Sequence, residues 1–301
     1  MPIRITNSSM SALLANRINL SKQRLATAQE QITTGKKINS PSDDPFGMEA
    51  VMRLNGKLAM IERFQENSAS VKEGLQLADG SLESYQQLLD RATTLMTQGA
   101  SDSTSPTAKQ AIATELEGIR KQMISIANLK SNDRFVFGGT RQNAAPYDAN
   151  GNPALTSSTA QMVQVEPDAA PVAAGVTAEG IFANGVSNVF VTLATVASAL
   201  RGTGDPVADK AAVTQGLDSL TAYSTKATTA RSGLGASMVG VDTAVSRLES
   251  QMLLFKETVD RFESADIAQA AIDLTQASQA LEATIQASAF SNKGSLMDLI
   301  G

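Results

Sequence analysis

Apolar residues recur along this chain at alternating steps of three and four. From Ile61 the series Ile61, Phe64, Ser68, Val71, Leu75, Ala78, Leu82, Tyr85, Leu89, Ala92 and Met96 runs unbroken, the heptad signature of a long helix that buries one stripe against a partner. A second series (Ile112, Leu116, Ile119, Met123, Ile126) and a third (Leu234, Met238, Val241, Val245, Leu248, Met252, Phe255, Val259, Phe262) predict two more such helices. The third series slips by about one residue near Asp266, a phase change that alters packing. It resumes as Ile267, Ala271, Leu274, Ser278, Leu281 and Ile285, so a joint between two packing units is expected there. Near the start, Leu14, Ile18, Ser21, Leu25, Ala28 and Ile32 carry the same spacing, and Gly35 stands where a C-terminal cap belongs.

Prolines set the limits of these helices, leaving proline-free windows at 3–40, 46–105, 107–145 and 207–301. The centre differs in kind. From Gln142 to Leu200 there is no lysine or arginine, and Pro146, Gly151, Pro153, Pro167, Pro171, Gly175, Gly180 and Gly185 interrupt it. Gln161 to Glu166 reads as a short strand, and Asn150-Gly151 and Asn184-Gly185 as hairpin turns. Val189 to Leu200 then resumes helix, and Asp205 caps the next. The expected fold is mainly α, an elongated antiparallel coiled coil or helical bundle formed by the N- and C-terminal regions, with a small β-rich inserted domain. The expected domains are a terminal helical domain (1–45 with 267–301), a long helical bundle (46–143 with 189–266) and a small β-rich outer domain (144–188).

Composition narrows the function. The 301 residues include no cysteine and no histidine, which removes disulfides, thiolate nucleophiles, zinc–sulfur sites and the commonest general base. Aromatic residues make up 4% with no tryptophan, and the net charge is −5, neither of which suits nucleic acid. The least polar run, Val189 to Leu200, is shorter than the roughly 20 residues of a membrane helix. Met1 to Met10 lacks the apolar stretch of a cleaved secretory signal, so export is expected by another route. Gly202-Thr203-Gly204 and Gly233-Leu234-Gly235 lack the third glycine of a dinucleotide loop and read as turns or helix interruptions. Asp260, Glu263 and Asp266 read as a solvated acidic face, and Met52, Met96, Met123 and Met252 as core filler. No catalytic residue, cofactor or metal site is assigned.

The two ends suggest assembly instead. Leu14, Ile18, Leu25 and Ile32 are worth about 1.5–3 kcal/mol each when buried, against roughly 1–2 kcal/mol of backbone entropy per residue ordered. The closing helix is diluted by alanine and serine, so both ends are expected to become ordered on meeting other subunits. Residues 1–45 carry a charge of +3 and residues 260–301 a charge of −4, which favours their pairing. Leu14, Ile18, Leu25, Ile32, Leu274, Leu281 and Ile285 are the expected intersubunit packing residues. Pro41, Asp43, Asp44 and Pro45 form an expected elbow, with Asp44 as N-cap and Pro45 in the first helical position.

Ile5-Thr6-Asn7-Ser8, Leu25 to Ile32 and Thr34 to Pro45 together resemble the amino-terminal region of the flagellins and their hook–filament junction relatives. Asp266-Ile267-Ala268, Leu274, Gln279 to Thr284 and Ser295 to Ile300 are similar to the closing helix of that family. Ser40-Pro41-Ser42-Asp43-Asp44-Pro45 and Arg134 to Thr140 resemble the junction branch more than the filament-forming one. The resemblance covers residues 1–143 and 190–301. It implies a bacterial, extracellular structural protein exported unfolded through the flagellar type III apparatus. The implied partners are copies of itself, hook-associated protein 1, flagellin and a flagellar export chaperone, with no nucleic acid and no membrane. The alternatives are flagellin itself, or a secreted coiled-coil effector or translocator of a type III system.

Overall fold

The computed structural model describes residues 7–154, 158–185 and 187–300, with side chains from 12 to 289 among them. In chain order the elements are α1 (Asn7–Thr34), α2 (Pro45–Ala100), α3 (Pro106–Ala127), β1 (Lys130–Ser131), β2 (Arg134–Phe135), β3 (Met162–Val163), β4 (Val172–Ala173), α4 (Ala178–Phe182), β5 (Ala183–Asn184), β6 (Ser187–Asn188), α5 (Val189–Arg201), α6 (Pro206–Glu263) and α7 (Ile267–Ile300). The chain forms two compact units, residues 1–60 with 251–301 and residues 61–250. Helix breaks occur at residues 35–44 and 264–266, and the two units divide within α2 and α6.

In the larger unit the α2 stripe is buried as its spacing requires: Ile61 and every member from Ser68 to Met96 are covered, and Phe64 is half-buried. Ile112, Leu116, Ile119 and Met123 of α3, Leu193 and Val196 of α5, and Leu234 and Val241 of α6 share that core. α6 runs antiparallel to α2, and polar pairs along their flank hold the register. Lys72 Nζ meets Asp242 Oδ1 at 2.6 Å and Arg231 Nε meets Asp79 Oδ1 at 2.8 Å, and just past the end of α2 Lys210 Nζ of α6 meets Asp102 Oδ2 at 3.0 Å. The number climbs on one helix as it falls on the other. Helix starts are capped from the sequence: Ser105 Oγ accepts from Ala108 N with Pro106 following, Asn188 Oδ1 accepts from Val191 N, and Asp205 Oδ1 accepts from Val207 N.

Among the described residues of 144–188 the strands form short antiparallel ladders rather than a larger sheet. β3 pairs with β4, and β5 pairs with β6 on either side of the Asn184-Gly185 turn. At Asn150-Gly151, Asp148 Oδ1 accepts from Asn150 N and Asn152 N, closing a turn beneath the Tyr147–Pro153 bridge. This segment joins the helical core. Phe182 packs edge-on to Tyr85 with centroids 4.8 Å apart, Glu166 is buried and bonded to Arg247, and Ser68 Oγ reaches Val165 O at 3.4 Å.

Several details differ from the sequence reading, among them Glu263, whose side chain is largely covered and paired with Lys36 rather than solvated. Gly233 and Gly235 lie inside the continuous helix α6, where burial of Leu234 between them offsets two poor helix formers. Met52 is exposed rather than core. The β1–β2 hairpin turns on Asn132 and Asp133, both at positive φ, without the glycine that usually signals such a turn.

Candidate assembly surface

In the smaller unit α1 lies against α7. Ala28 of α1 and Ala270 and Ala277 of α7 are buried, and among the described side chains no larger one of either helix is. Leu14, Ile18, Leu25, Ile32, Leu274 and Leu281 are half-buried, and Ile285 is exposed at 49%. Each of the six thus leaves apolar area uncovered by its own chain. Leu13 and Leu20 on α1 and Ile272 on α7, which the single-stripe reading passed over, are exposed at 50%, 49% and 51%. They occupy helical positions beside the chosen stripe, so a second stripe is visible only once the partner helix is known. Further exposed apolar groups of this unit are Phe46, Met60, Leu253 and Leu254. The exposed basic groups Arg17, Lys22 and Arg24 lie on α1, and the exposed acidic groups Asp273 and Glu282 lie on α7.

The four elbow residues fall in one loop and the start of α2. α1 ends at Gly35, whose φ of +70° a residue with a side chain rarely adopts and whose N–H donates to Gln31 O at 2.9 Å. Asp43 accepts from the backbone N–H groups of Ser40 at 2.8 Å and Asn39 at 3.1 Å, which together lower its carboxyl below the usual range. Asp44 Oδ1 accepts from Gly47 N at 3.0 Å, so Asp44 caps α2 with Pro45 in its first position, and Pro41 sits exposed at the turn. Ile38 is buried under the first turn, and a Cβ on Gly47 would stand 2.5 Å from its Cδ1. α7 restarts at Asp266, whose Oδ1 accepts from Ala268 N and Gln269 N. The chemistry available here is packing and capping. Among the described residues no cluster of three metal-ligating groups occurs, and no helix is long and apolar enough to cross a membrane.

The family model for the bacterial flagellin N-terminal helical region matches residues 5–142, and that for the C-terminal helical region matches residues 217–300. The chain is similar to a flagellin of Listeria monocytogenes, at 23% identity over 91% of this chain and 90% of that one. It is also similar to flagellar hook-associated protein 3 of Salmonella typhimurium, at 28% identity over 40% of this chain and 38% of that one. Among solved structures, a flagellar hook-associated protein of Vibrio parahaemolyticus aligns with a TM-score of 0.67 at 19% identity, covering 74% of this chain and all of that one. FlgL of Xanthomonas campestris aligns at 0.60 and 24% identity, covering 69% of this chain and 99% of that one. Both share this fold.

Proposed function

This chain belongs to the bacterial flagellin family, and from that premise we propose that it is the junction subunit between the flagellar hook and the filament, the part taken by the hook-associated protein 3 it resembles. Its role is structural, in an exported, extracellular assembly. The observation that carries the reading is the apolar area left open along α1 and α7 by the chain's own packing, flanked by basic groups on one helix and acidic groups on the other. An exposed stripe of this kind on paired helices marks an interaction site, and neighbouring copies with the same two helices would cover it. Leu14, Ile18, Leu25, Ile32, Leu274, Leu281 and Ile285 remain its proposed packing residues, now joined by Leu13, Leu20 and Ile272. Hook-associated protein 1 on one side, flagellin on the other and an export chaperone before secretion are the proposed partners.

The test is electron microscopy of cells lacking the gene. Intact hooks without filaments, with flagellin shed into the medium, are expected, and normal filaments would overturn the junction role. A second reading, that the chain is itself a filament subunit, is favoured by its match along 90% of the Listeria flagellin. That reading requires the purified chain to polymerise alone into long filaments.

A further inference from the structure

Charge is unevenly divided along the larger unit. Residues 109–141 hold six lysines or arginines and three carboxylates, a charge of +3, and residues 142–200 hold four carboxylates with no lysine or arginine, a charge of −4. Elsewhere in this unit Lys72, Arg91, Arg201, Lys210, Arg231 and Arg247 each meet a carboxylate of their own chain. Lys121, Lys130 and Arg134, at the end of α3 and on the β1–β2 hairpin, are exposed and hold no ion pair among the described residues. Lys130 Nζ stands instead over the ring of Phe135, 4.6 Å from its centre. In the acidic segment Glu166 is taken by Arg247, and Asp148 by the turn at Asn150-Gly151. Asp168 and Glu179 are exposed and have no cation beside them among the described residues.

The two sets lie on different flanks of this unit. Ser131 and Arg134 of the hairpin border a cleft with Asn67 and Glu73 of α2. Thr177 and Gly180, on either side of Glu179, border a groove with Thr229 and Gly233 of α6, and Asp168 follows the Glu166–Arg247 pair on the same helix. The β3–β4 ladder stands between them, with Ala174 at the cleft and Ala173 at the groove. Asp133 and Glu73 are the acids beside the basic set, and Lys226, whose Nζ donates to Ala183 O at 2.6 Å, is the base beside the acidic groove. We propose that the α3–hairpin flank of one copy meets the Asp168–Glu179 flank of the next. Two different surfaces then meet, so the contact runs head to tail and repeats from copy to copy. Exposed charge pairs add little affinity, but they fix register and reject a like-charged approach. The contact therefore decides which flank faces which, in a unit whose core is closed within its own chain. It rests on the assembly role proposed above, to which it adds a second surface.

The chain has no cysteine, so Arg134→Cys and Ala170→Cys at exposed positions give one reactive thiol on each flank. Flagella isolated from cells carrying both substitutions are treated with a flexible bismaleimide, and the chain is followed by immunoblot. A ladder of covalent species beyond the dimer is expected from the double variant, and none from either single variant. On the double background, Lys121→Glu with Lys130→Glu is expected to lower the cross-linked share about fivefold, and adding Asp168→Lys with Glu179→Lys to restore it. Absence of the ladder overturns the proposal. So do dimers from a single variant in equal yield, which mark a two-fold contact, and so does a ladder indifferent to charge reversal. If the chain is instead a filament subunit, the ladder keeps its charge dependence but runs on without a largest species, so failure of the junction role reads differently from failure of this contact.

Discussion

Tyr85 sits in the core of the larger unit with no solvent exposure, edge-on to Phe182, and its hydroxyl has no hydrogen-bond partner among the described residues. A buried donor left unpaired costs free energy that a phenyl ring does not. Tyr85→Phe is therefore expected to leave stability unchanged or raise it by up to about 1 kcal/mol, read from the denaturant midpoint at constant slope. A clear loss would mean that the hydroxyl is bonded. Burial also pushes the hydroxyls of Tyr85 and Tyr147 well above the ordinary tyrosine value of 10.0. The fold thus favours the neutral rings, and the unfolded chain releases their protons more easily. The stabilisation is complete below about pH 10 and is lost as pH rises past that point toward the folded values. In an alkaline titration, tyrosinate absorbance from these rings should grow together with loss of helical circular dichroism. Tyrosinate from either ring in an intact bundle would contradict their burial.

At the scale of elements, heptad spacing located the α2 stripe because a helix in a closed bundle must cover each seam position, and Ser68 is tolerated there because its hydroxyl donates to Phe64 O one turn earlier at 2.7 Å, with Val165 O also within 3.4 Å. The phase slip at Asp266 marked a real break, since a cap and a new helix start there. The β1–β2 hairpin stayed hidden because Asn132 and Asp133 supply positive φ without glycine. The continuity of α6 through Gly233 and Gly235 was equally hidden, since packing of the whole helix overrides local propensity. The proposed assembly surface is only partly legible: one stripe follows from spacing, but Leu13, Leu20 and Ile272 lie beside it and become notable only through their exposure in the α1–α7 pair. That pairing buries alanines and leaves the larger groups half open, so it contributes little to its own stability. In the dispersed chain the amides of residues 12–34 and 267–289 are expected to exchange within about tenfold of unprotected rates, while those of Leu75 to Leu89 are strongly protected. Slow exchange throughout both ends would show that the pair is stable without neighbours.

For the whole molecule, covering apolar area within the chain and covering it between chains make different demands, and substitution separates them. Leu82 is buried by its own chain, so a charge there would be trapped without a partner and should unfold the larger unit. Leu20 is half exposed on α1, so Leu20→Asp should change the stability of the dispersed chain by no more than about 0.5 kcal/mol. In the proposed assembly a neighbour would close over that position, and the aspartate would be desolvated at each repeat of the interface, beside the acidic groups of a facing α7. Cells carrying Leu20→Asp are therefore expected to export a normally stable protein and yet bear hooks without filaments, as counted by electron microscopy and by flagellin in the medium. Ile272→Asp should do the same from the other helix. Full filaments with Leu20→Asp would place the intersubunit contact elsewhere on the chain.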